Sequence, residues 1–175
     1  MTEMTQVRLS GFGGQGVVLA GILLGEAGAI DGKHVSGSNS YGAQARGSGC
    51  KAEIVLSDGL IDFPHLTTAD ILVAMSQGAY NMYCGDVKED IGLILYDQNL
   101  VNPREGLKVR QLGVPATEVS VKKLKNKQVV NIVLLGALIE TTKIVPAKAM
   151  QKAIALHVNQ RFRTLNLKAL KIGMA

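Results

Sequence analysis

The chain has 175 residues, 47% of them apolar and 19% charged, with 20 glycines and no tryptophan, a size and composition that fit one globular unit with a packed core and exclude a disordered chain. Nineteen Lys and Arg against fourteen Asp and Glu give a formal charge of +5, which favours an anionic ligand, an acidic protein partner or nucleic acid without choosing among them. The clusters Lys122, Lys123, Lys125, Lys127 and Arg161, Arg163, Lys168, Lys171 hold between them a single aromatic residue, Phe162, and read as solvated helix faces, so no nucleic-acid contact is expected.

In chain order, Val7 to Ser10 is a short alternating run that predicts a strand, followed by a glycine-rich turn and an apolar helix from Val17 to Ile30. Gly21, Gly25 and Gly28 inside that helix each cost up to about 1 kcal/mol against alanine, which predicts close packing of helix on sheet. Lys33 to Ser36 predicts a second strand, and the polar stretch Gly37 to Gly49 a long loop without periodicity. Cys50 to Leu56 partly alternates and predicts a strand that ends at Asp58-Gly59. Ile71 to Met75 and Ile91 to Tyr96 are continuous apolar runs of the kind buried on both faces, with a short helix within Gln77 to Glu89 between them. Leu107 to Leu112 is a further strand candidate.

From Val119 the pattern turns helical. Gln128 to Glu140 predicts an apolar helix in a core or a subunit interface, and Pro146 suits the first turn of a helix reaching about Val158. A last short helix is expected over Leu165 to Lys171. Together these give an α/β fold with an open sheet, mainly parallel or mixed, and helices on both faces, in a single domain over 1–175.

The turn Leu9-Ser10-Gly11-Phe12-Gly13-Gly14-Gln15-Gly16 carries the chemistry. Gly11, Gly13 and Gly16 match the spacing G-x-G-x-x-G between a strand and a helix, where bare N–H groups and the helix dipole favour an anion. A dinucleotide also demands an acid about 20 residues on, at the end of the second strand. Asp31 precedes that strand, and its end reads Ser36-Gly37-Ser38-Asn39. A phosphate-bearing ligand other than NAD or FAD is therefore favoured, with simple strand-to-helix packing of the glycines as the competing explanation. Ser38, Asn39, Ser40, Tyr41, Gln44, Arg46 and Ser48 form a second donor-rich segment, in which Arg46 offers a guanidinium fork suited to phosphate.

Other chemistry is sparse. His34, His65 and His157 are isolated, Cys50 reads as a small buried residue, and Met75, Met82 and Met150 as core filler. Cys50 and Cys84 are the only cysteines, too few for an iron–sulfur cluster or a zinc site on this chain. Scarce cysteines and an N-terminus without a signal-peptide pattern lead to the expectation of a cytoplasmic protein without a membrane span.

The order GFGGQG, then SYGAQARGSG, then NIVLLGAL at Asn131–Leu138 resembles the gamma subunit of the 2-oxoacid:ferredoxin oxidoreductases, over about residues 6–172. The resemblance implies a Rossmann-like domain in an enzyme that converts a 2-oxoacid and coenzyme A to acyl-CoA and carbon dioxide and reduces ferredoxin or flavodoxin. By resemblance, thiamine diphosphate, Mg and iron–sulfur clusters belong to alpha, beta and delta subunits, while this chain binds coenzyme A and closes the active site without a catalytic acid or base. It assigns Gly11, Gly13, Gly14, Gln15 and Gly16 to the pyrophosphate turn and Ser40, Tyr41, Gly42, Arg46 and Gly47 to the second loop. Many members carry Glu and Gly-Gly where this chain has Gln44 and Gly47-Ser48, a departure within that loop. The resemblance leans toward 2-oxoglutarate as substrate and implies partner subunits, or a homodimer in isolation. An NAD- or FAD-dependent oxidoreductase and a non-enzymatic nucleotide-binding module stand as alternatives.

Overall fold

A computed structural model describes residues 4–41 and 49–175. Six strands, β1 (Met4–Phe12), β2 (His34–Tyr41), β3 (Gly49–Ser57), β4 (Ile71–Ala74), β5 (Leu93–Asp97) and β6 (Arg110–Val114), form one sheet in the order β2-β3-β1-β4-β5-β6. Strands β1, β4, β5 and β6 are mutually parallel, and β3 runs antiparallel between β1 and β2. The helices are α1 (Val17–Ile30), α2 (Gln77–Tyr83), α3 (Ala116–Lys122), α4 (Val130–Thr142), α5 (Ala147–His157) and α6 (Gln160–Gly173).

Alternation along the strands splits the core into two layers, because successive side chains leave opposite faces. Val7, Leu9, Ile71, Val73, Leu93 and Leu95 meet α1 and α4, with α5 and α6 behind them. Leu72, Ala74 and Ile94 face Tyr80 and Cys84 in and after α2. The expectation of an open α/β sheet, mainly parallel or mixed and covered on both faces, therefore holds; the sheet is mixed, with β3 antiparallel to both neighbours. The glycines of α1 do bring helix and sheet together: a Cβ at Gly21 would lie 2.6 Å from that of Ala52, and one at Gly28 would collide with Leu56.

The largest departure from the sequence reading lies at β2. Residues Gly37 to Tyr41, expected as loop, extend the strand and pair with β3 through Tyr41↔Cys50. Their polar, glycine-containing composition disfavours a strand taken alone, but an edge position against a strongly apolar neighbour accepts it. Downstream, β5 starts at Leu93 after Asp90 with φ 64°, and the helix expected to start near Val119 begins at Ala116. The last helix starts at Gln160, where the Asn159 side chain accepts from the N–H of Arg161 at 3.2 Å and caps it. The apolar helix α4 is taken up within this chain, since every residue from Asn131 to Ile139 is buried; it is core. Met75 and Met150 are core as expected, whereas Met82 is 66% exposed and fills no core.

Candidate functional site

The sheet brings the two donor-rich segments to one end. Ser10 and Gly11 of β1 pair with Lys51 and Cys50 of β3, which pair in turn with Ser40 and Tyr41 of β2. The C-terminal ends of β1 and β2 thus lie together, separated by the width of β3. Gly42, Arg46 and Gly47 lie outside the described residues.

The glycine turn itself is built largely around the chain's own side chains. Gln15 folds back so that its Oε1 accepts from the N–H of Phe12 at 2.7 Å and its Nε2 donates to the carbonyl of Met75 at 2.8 Å, tying the turn to the end of β4. A Cβ on Gly11 would lie 2.5 Å from that Oε1. At Gly16, φ is 73° and a Cβ would lie 2.5 Å from Nδ2 of Asn131, which donates to the Gly16 carbonyl at 3.0 Å. Asn131 is 1% exposed, and its Oδ1 has no hydrogen-bond partner. Gly13 is half-buried in the turn. Gly14, with φ 96°, has open space where a Cβ would be. So three of the five assigned turn residues, Gly11, Gln15 and Gly16, answer to internal neighbours. No side chain caps the start of α1, which leaves its first N–H groups bare.

Two cavities flank the turn. One of about 320 Å³ is bordered by Gly11, Phe12, Ser40, Lys51, Met82 and Tyr83; it joins a turn residue to the end of β2. The other, about 310 Å³, is bordered by Gly14, Gln15, Thr117, Lys127, Gln128 and Val130. Of the assigned residues, Gly11 and Ser40 border the first hollow and Gly14 and Gln15 the second.

Lys51 is the cation of the first cavity, and it does not stand alone. Its Nζ lies 2.9 Å from Oε1 of Glu53, the same oxygen that Nε of Arg8 approaches at 2.8 Å, while Arg8 also reaches Asp86 at 3.3 Å. The Arg8 guanidinium stacks over the Tyr83 ring at 4.6 Å, with Lys51 at 5.9 Å. Burial works to raise the Glu53 carboxyl, but hydrogen bonds and charge from Lys51 and Arg8 prevail and hold it below the usual carboxylate range. The cavity thus has a polar wall of nearly balanced charge beside two exposed apolar groups, Phe12 and Met82.

Neither Lys51 nor Tyr83 is marked by any motif. Lys51 acquires its place from strand register, which pairing partners far along the chain decide. Cys50 is buried, and burial pushes its thiol up, which leaves it a poor nucleophile. His157 bonds Glu26 of α1 at 3.0 Å, a structural tie. Among the described residues no three His, Cys, Asp or Glu gather as metal ligands. The geometry also weighs against a dinucleotide: β3 occupies the place beside β1 from which a second strand would present an acid to the ribose.

Residues 6–175 match the family described as Pyruvate ferredoxin/flavodoxin oxidoreductase. The 2-oxoglutarate synthase subunit KorC of Methanocaldococcus jannaschii is 43% identical over 171 residues, covering 96% of this chain and 91% of that one. Among solved structures, the gamma subunit of a keto/oxoacid ferredoxin oxidoreductase from Geobacter sulfurreducens superposes with a TM-score of 0.86 at 36% identity, covering 97% of this chain and 96% of that one. A 2-oxoglutarate:ferredoxin oxidoreductase from Magnetococcus marinus, with 2-oxoglutarate, coenzyme A and succinyl-CoA bound, shares the fold at a TM-score of 0.87 and 20% identity; the match covers 98% of this chain and 30% of that one.

Proposed function

The chain belongs to the pyruvate ferredoxin/flavodoxin oxidoreductase family, and from that premise we propose that it is the gamma subunit of a 2-oxoglutarate:ferredoxin oxidoreductase acting in the cytoplasm. The observation that carries this reading is the likeness to a 2-oxoglutarate synthase subunit along nearly the whole of both chains. The activity is the oxidative decarboxylation of 2-oxoglutarate with coenzyme A, passing electrons to ferredoxin or flavodoxin. Two buried cysteines on separate elements cannot supply the four thiolates of a cluster. The clusters are therefore assigned to partner subunits, and by family resemblance thiamine diphosphate with its Mg to the alpha and beta subunits, where they supply the electron-transfer and decarboxylation chemistry.

On this reading the chain binds and positions coenzyme A. The anionic end meets Ser40, Lys51 and the bare N–H groups of the glycine turn, and Phe12 and Met82 give the pantetheine arm or adenine an apolar surface. Lys51 exchanges Glu53 for phosphate, and Arg46 adds a guanidinium fork of the kind that suits phosphate. The chain's contribution to rate is positioning, with no proton transferred by its own groups.

Reconstitution with the products of adjacent genes tests the proposal. Reduction of ferredoxin should require 2-oxoglutarate, coenzyme A and this chain together. A complex equally active without the chain, or indifferent to 2-oxoglutarate, would refute it. In the assembled enzyme Arg46→Ala should weaken coenzyme A binding by about 1.5–3 kcal/mol; tighter binding of NADH than of coenzyme A would overturn the site.

A further inference from the structure

The charge of this chain is divided unevenly along its length. From Thr141 to the C-terminus the sequence holds seven Lys and Arg and no Asp or Glu, while the preceding 140 residues hold twelve cations against fourteen acids. The acid-free stretch makes up α5 and α6, which pack against each other and stack outside α1 and α4. On α6, Arg161, Thr164, Lys168 and Lys171 recur at helical spacing along one exposed stripe, and on α5 Lys148, Gln151 and Lys152 do the same. None of these five cations makes an ion pair among the described residues. Between the stripes lies a hollow of about 660 Å³, with Leu167 and Met174 as its apolar lining and Lys168 and Lys171 beside them.

We propose that the α5–α6 groove is a docking surface for an acidic amphipathic segment of a sister subunit, and this rests on reading the chain as one part of a larger enzyme. A helix laid in the groove buries its apolar face on Leu167 and Met174 and brings carboxylates to Lys168, Lys171 and the flanking Lys148, Lys152 and Arg161. Five like charges on one surface repel one another until such a partner arrives, so complementary charge contributes to both attraction and register. A nucleic acid fits less well, because no aromatic ring lines the groove for base stacking. A lipid surface fits less well too, since two apolar side chains in a concave seat offer little to insert.

The test uses the complex, formed by co-expression with the subunits of adjacent genes and captured through a tag on this chain. Lys168→Glu with Lys171→Glu should reduce retained sister subunits by about tenfold or more, with the thermal transition of the isolated variant unchanged. Lys123→Glu with Lys125→Glu, on the other cluster, should retain them fully. Wild-type retention should fall as salt rises from about 0.05 to about 0.5 M. Equal retention by wild type and the Lys168/Lys171 variant overturns the docking surface and leaves the subunit reading intact. Failure of wild type to retain any sister subunit overturns both. Binding of a DNA duplex or of anionic vesicles that the same variant abolishes, with sister subunits still retained, assigns the surface to another partner and also overturns the proposal.

Discussion

Gly14 and Gly16 stand two residues apart in the same turn, both with positive φ, yet they answer to different neighbours. Behind Gly16 the Asn131 amide fills the space a Cβ would need; beside Gly14 there is only open cavity. The bareness of the first is demanded by the protein's own interior, and that of the second by backbone conformation with room left for a ligand. A glycine motif thus mixes two causes that the sequence writes with the same letter, and only a side-chain neighbour 115 positions away separates them.

Substitution at Gly16 breaks that comparison most sharply. Gly16→Ala combines a left-handed backbone with displacement of Asn131 from its bond to the Gly16 carbonyl, and should cost about 2–3 kcal/mol in urea unfolding. Asn131→Ala alone should cost about 1–2 kcal/mol, limited because the Gly16 carbonyl keeps a second donor in the N–H of Ala20. In the double variant the space vacated by Asn131 accepts the new methyl, so the combined loss should be smaller than the sum by about 1 kcal/mol. Strict additivity would show that the two residues do not meet. Gly14→Ala carries the conformational term without the collision and should cost about 1 kcal/mol; a loss as large as at Gly16 would mean that backbone strain alone explains both.

The same distinction explains what could be read from the sequence. The strands and helices near the sheet centre were legible because uninterrupted apolar runs such as Ile71 to Ala74 have few alternatives to burial on both faces. The glycine turn was legible as a turn, and its association with the end of β2 followed from the habit of open α/β sheets. The strand Gly37–Tyr41 was not legible, because its pairing energy comes from β3 and not from its own residues. Lys51 and Tyr83 were missed for the same kind of reason: their place beside Gly11 is set by register and by the docking of α2. Nor could the sequence show that Gln15, assigned to the ligand, spends both ends of its amide on Phe12 and Met75. Family resemblance located the turn and the second segment; it carried no information about which atoms were already taken.

The smallest effect concerns the wall opposite the turn, and it distinguishes a buried charge cluster from an exposed pair. Glu53 is held by Arg8 and Lys51 with its side chain 11% exposed, and its carboxyl lies below the usual range. A lowered folded-state value means that the carboxylate contributes stability fully above its unfolded value of about 4.3 and loses it as pH falls through the folded value. Glu53→Gln should therefore lower stability at pH 7, and its stability curve should converge with that of wild type on acidification below about pH 4. Glu118 also has a lowered carboxyl, through Lys122 one helical turn away, but that pair is open to solvent, so Glu118→Gln should leave unfolding almost unchanged. A constant gap between wild type and Glu53→Gln from neutral to acid pH would locate the effect in lost packing, and Lys51 would then be free to meet an anion without first giving up a carboxylate.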